Sequence, residues 1–413
     1  MNWQAINVAW DKANSRYGFD PIHFDDEAKQ LLHEADDDDA QIEAAIDGMR
    51  VVRNENPSFF DRFDYEWAFD AAGWRRGLEA NLQARMLQML SQMWVSPNRP
   101  DTAFYDRVVS RYTFETGTDP CTPFHAPIDA VNFITVPFSF AEFLNLLVRG
   151  FIDSVAGQNE GWAALANFDK FDREAPVSGF LRQAILRYLT NDTFHPSFPG
   201  ESPVDLVKRK STWFGEAIET GNVDEETEIP LSNALLDFAL AHELGHVLHG
   251  HEGVAAEPDL RLEKEQDADV MGFALYSTSW GWRDEVLDPC PMGQALRILM
   301  GPLVFHLFVK WHLALRQAAA FAKLKLKDHN VNVSVIKEDV GDSAARSDMT
   351  MKQLGFYEAQ IRGRGAEFSE TGEAIFRGLA KAGSAFTMEI FRSVQSIPDE
   401  DLELAIEAGR PLF

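Results

Sequence analysis

The feature that most constrains this chain is the stretch Leu240-Ala-His-Glu-Leu-Gly-His-Val-Leu-His-Gly250. Read as a helix, it sets His242 and His246 one turn apart on one face, because residues four apart stack along the axis. Two imidazoles at that separation can hold one divalent ion. Glu243 is turned about a hundred degrees round the helix from His242. It is therefore badly placed as a third ligand and well placed to reach a water on such an ion. The surroundings suit a helix. Leu231, Leu235, Phe238, His242, His246 and His249 follow helical spacing. Pro230 suits a first helical position and Gly250 a C-terminal cap.

A catalytic zinc site takes three protein ligands and keeps a position for water; a structural site fills all four with protein and gives Glu243 no task. The missing ligand is expected in the next periodic stretch, Glu263-Lys-Glu-Gln-Asp-Ala-Asp-Val-Met-Gly-Phe-Ala-Leu-Tyr276. Asp259, just after Pro258, suits the cap of this second helix. Glu265, Asp269, Gly272, Phe273 and Tyr276 share one of its faces. Glu265 is the expected third ligand. Asp269, one turn on, is placed to accept the far ring N–H of a ligating histidine and so fix its tautomer. Gly272 would let the two helices approach closely. His249 and His251 compete with Glu265 as ligand; their other reading is as capping or solvated histidines near a helix C-terminus.

His-Glu-x-x-His followed by Glu-x-x-x-Asp on a second helix resembles the gluzincin metallopeptidases. Glu265 lies nineteen residues after His246, inside the gap such enzymes use. The resemblance covers residues 229–277. It implies His242, His246 and Glu265 as ligands of one Zn2+ per chain, Glu243 as general base and Asp269 as the residue orienting His242. The wording of both motifs is also similar to short cytosolic regulatory metallopeptidases. The metzincin pattern does not fit, since His249 and Glu252 stand where it wants Gly and His. Ligand type selects zinc, although imidazole and carboxylate accept other divalent ions.

The net charge of −27 argues against nucleic acid and against anionic membrane surfaces as partners, both of which call for a basic face. Two cysteines, Cys121 and Cys290, give no disulfide framework and no paired metal motif; reduced thiols are the expectation. The first residues lack a basic start and a long apolar run, so they do not read as a signal peptide, and a cytoplasmic protein is expected. Ile298 to Val309 is the most apolar stretch. It is short for a membrane span before Lys310 and contains Pro302 and His306.

With 413 residues, of which 45% are hydrophobic, the chain can bury a sizeable core. The expected class is mainly α with a small β-sheet (α+β). A gluzincin-like core with two motif helices would sit inside a larger helical protein. Three blocks are expected: a mostly helical 1–190, a catalytic 191–330 opening on a loop at 191–203, and a helical 331–413. Residues 1–120 read as helical, with periodic runs at 42–52 and 74–94; 140–148, 294–325 and 350–395 also read as helices. Val131–Pro137 reads as a strand, either a core strand or, as the resemblance suggests, an edge that receives extended peptide. Val331–Val335 alternates as a short strand would.

These expectations converge on hydrolysis of a peptide or protein substrate, selective rather than general, since more than three hundred residues lie outside the motifs. A donor for the developing oxyanion is needed, and His306, His312, His329 and Tyr276 are the candidates. The rival reading is a metal-binding regulatory or interaction protein with little or no catalysis. Sequence leaves the oligomeric state open.

Overall fold

The computed structural model describes residues 6, 8–13, 38–61, 77–96, 99–113, 123–156, 161–189, 225–251, 258–281, 292–326 and 352–408. The described chain is mostly helical and carries one small mixed sheet, as expected for a mainly α protein. It divides into two compact units that interleave along the sequence. The first takes Met1–Phe140 and Ala239–Trp280, the second Ala141–Phe238 and Gly281–Phe413.

In the first unit, helices Asp38–Glu55 and Gly77–Val95 pack together, and the second of them covers the sheet. The expected run at 42–52 falls within the first of these helices, and the described part of the run at 74–94 within the second. Met86, Met89 and Met93 are buried on Gly77–Val95, so its Met stripe fills core. The sheet has the order β1-β3-β2, formed by β1 (Val108–Thr113), β2 (Phe124–Ile128) and β3 (Val131–Pro137). β1 runs parallel to β3 and β2 antiparallel. The expected strand at 131–137 is therefore central, hydrogen-bonded on both sides, and not a free edge for substrate.

β1 lies in a region expected to be helical, and β2 contains Pro127, which has no N–H to give a ladder. β2 is an edge strand, where a missing N–H is tolerated. Asp129 and Ala130, at φ 47° and 66°, join β2 to β3 in the two-residue turn whose twist suits a hairpin. Buried Gln83 fastens helix to sheet by accepting hydrogen bonds from Ser110 N at 3.0 Å and Ser110 Oγ at 2.7 Å.

The second unit is built on the long helices Gln294–Lys325 and Glu370–Ser396, which pack along each other. Phe151, Trp311 and Phe386 form an aromatic knot with centroids 4.8–5.2 Å apart. Trp311 Nε1–H donates to Gly383 O at 2.7 Å, which settles the indole's polar edge inside the core. Gln294–Lys323 is the one helix among the described residues long and apolar enough to cross a membrane, and 78% of its most apolar window is buried inside the protein. It runs on unbroken through Pro302 and Lys310, so it is longer than the apolar stretch alone suggests.

The first motif helix, Glu225–His249, gives its opening turns to the second unit and its last turns to the first. It begins before Pro230, which was expected at its first position. A proline there leaves the carbonyl four residues back without its helical donor. Trp162 Nε1–H supplies one, to Glu226 O at 3.1 Å.

Candidate metal centre

The site is built on the first motif helix and on the second, Pro258–Tyr276. Pro258 opens this second helix, so Asp259 sits inside its first turn and not at the cap position. The two helices cross antiparallel. Gly272 meets the backbone of Ala241 and His242, and Gly245 meets that of Ala268, so rising numbers on one match falling numbers on the other. A Cβ on Gly272 would lie 3.0 Å from His242 Cα and N, and one on Gly245 would lie 2.7 Å from Ala268 O. Gly272 has the expected role; Gly245, its reciprocal, was not foreseen.

This approach brings three donors to one point. His242 Nε2 and His246 Nε2 are 3.2 Å apart. Glu265 places Oε2 3.4 Å from His242 Nε2 and Oε1 3.7 Å from His246 Nε2. Ligands held at about 2.0–2.2 Å in a tetrahedral arrangement are roughly 3.3–3.6 Å from one another. The triangle therefore fits a small divalent ion without rebuilding, and its two imidazoles and one carboxylate are a donor set zinc accepts. Glu243 is buried, with Oε1 4.0 Å from His242 Nε2; it stands just outside the triangle.

Behind the triangle, buried Asp269 holds His242 Nδ1 at 2.8 Å. With one ring proton held there, Nε2 is the nitrogen left to take a metal ion once its own proton is displaced. Burial alone would pull the His242 ring down; its hydrogen bonds to Asp269 and Glu265 outweigh that and push it up to about 10.

His246 has its own partner, and sequence reasoning missed it. His251 Nδ1 lies 3.0 Å from His246 Nδ1. The local fold explains why. Gly250 takes φ +64°, Gly250 N donates to Val247 O at 3.1 Å, and His251 N donates to His246 O at 3.0 Å. That pair of bonds is the Schellman cap, which folds the next residue back over the last turn. The capping glycine was the available signal. Burial, with His249 and Lys264 close by, holds His251 below the ordinary imidazole range.

Tyr276 is the oxyanion candidate that shares the triangle's unit. Tyr276 is buried three turns beyond Glu265, roughly 16 Å along the axis, and away from the triangle because the helices are antiparallel. His306 and His312 belong to the second unit. There His306 lies against Phe238 and Phe305, and His312 against Tyr188 and Phe308. His329, the loop at 191–203, the strand at 331–335, Cys121 and Cys290 lie outside the described residues. No protein-family model, curated protein or solved structure matches this chain.

Proposed function

We propose that this protein is a zinc-dependent peptidase of gluzincin type, acting in the cytoplasm on a peptide or protein substrate. One observation carries the reading: His242, His246 and Glu265 converge at 3.2–3.7 Å, with the buried carboxylate of Glu243 beside them. A metal-holding triangle does not need Glu243; hydrolysis does. Bound at these donors, a zinc ion would supply polarisation of a peptide carbonyl and acidification of a water.

The chain's own residues do the rest. Glu243 takes the proton of the attacking water on its carboxylate and delivers it to the leaving amide nitrogen. Asp269 keeps a His242 proton on Nδ1, so Nε2 would be the nitrogen to hold the ion. Burial of His242, Glu243 and Asp269 keeps competing water away and strengthens the interactions among these charges.

The test is metal content and peptide cleavage measured on the same preparations. Protein purified without added metal should carry about one zinc per chain and cleave a peptide library. Glu243→Gln should keep the zinc and lose roughly 10²–10⁴ of the rate. Unchanged cleavage in that variant would remove Glu243 as base. Zinc without any cleavage would instead favour the metal-binding regulatory protein.

A further inference from the structure

The motif helices hold a second group of donors that this mechanism does not use. His249 in the last turn of the first helix, His251 just past its cap, and Asp267 on the second helix offer ligand atoms within 4.8 Å of one another. The rings of His249 and His251 lie stacked, with centroids 5.3 Å apart and planes at 17°. Two imidazoles and a carboxylate suit a borderline divalent cation such as zinc or cobalt. His249 is exposed, so its ring can swing in at little cost to close the set toward ligand spacing of about 3.3 Å.

This group touches the first site through one hydrogen bond. To present Nε2 to the triangle, neutral His246 keeps its proton on Nδ1 and donates it to His251 Nδ1, 3.0 Å away. The proton of neutral His251 is then on Nε2. A cation that takes His251 Nε2 displaces the proton there, and a ring that stays neutral can hold that proton only at Nδ1, where it faces the His246 proton. A cation that takes Nδ1 removes the acceptor outright. Either route costs His246 the partner that orients it.

We propose that His249, His251 and Asp267 form a second, weaker divalent-cation site whose filling loosens the first. The inhibitory consequence rests on the peptidase reading; the binding site does not.

The metal-free full chain, titrated with Co2+ and followed by visible absorption and equilibrium dialysis, tests it. Wild type should take up two equivalents, the second roughly tenfold or more weaker. His249→Gln and Asp267→Asn should each take up one, with the first affinity unchanged. In Glu265→Gln, which damages the triangle, the second site should tighten. Excess Co2+ should inhibit peptide cleavage by wild type and not by His249→Gln. A single equivalent in wild type, or two equivalents that neither variant reduces, would overturn the second site while leaving the first intact. A second affinity unmoved in Glu265→Gln would overturn the antagonism. Absence of any cobalt uptake would overturn both sites.

Discussion

Asp269 touches His242 and not the ion position, so its contribution is readable separately from that of the ligands. Asp269→Asn keeps an oxygen near His242 Nδ1 but removes the charge that holds the ring proton. Metal affinity should fall roughly 10–100-fold, measured by competition with a chromophoric chelator; wild-type affinity would rule the role out. His242 also gives a pH signature in the metal-free protein. Its folded value is raised to about 10 from 6.5, so its stabilising contribution is complete below about pH 6.5 and is lost as pH climbs through about 10. The Tm of the metal-free protein should fall across that window, and a flat Tm in Asp269→Asn would tie the fall to this pair. Both residues were legible, because i, i+4 spacing fixes which groups share a helix face. His251 was not, because its position depends on a reversal of the chain at Gly250 and not on periodicity.

The two motif helices are set by glycine as much as by their ligands. Gly272→Ala would press a methyl group to 3.0 Å from His242 backbone atoms. Overpacking of this kind costs about 1–3 kcal/mol, and here it also pushes the donors apart. Urea unfolding should show the loss of stability, and metal titration a weakened site; Gly272→Ala with unchanged values for both would show that the helices can yield. Where periodicity is strong the elements were readable: both motif helices, the Met-striped helix Gly77–Val95 and the long Gln294–Lys325. The edge strands were not. β2 carries Pro127, which reads as a turn, and its pairing with β3 is tertiary information. Pro230 misled for a similar reason, since the donor that replaces its N–H comes from Trp162, far away in sequence.

At the level of the whole molecule, consecutive blocks were the natural reading of the sequence, whereas the chain leaves its first unit at Phe140 and re-enters it at Ala239. Both crossings fall inside continuous helices, Phe138–Ala156 and Glu225–His249, so no turn or break marks either. The second unit rests on its aromatic knot. Trp311→Phe would leave Gly383 O without its buried donor at a cost of about 1–3 kcal/mol. Calorimetry should show a transition lowered accordingly, and an unshifted one would mean the carbonyl finds another donor. The glycine contacts in the first unit have a last consequence. At Gly272 and Gly245 the motif helices meet backbone to backbone, and a slide of one by a single residue rise, about 1.5 Å, would part His242 from Asp269 and open the triangle. On the proposed reading, metal affinity would be a vernier: it would read the register of two helices and drop while both are still fully wound.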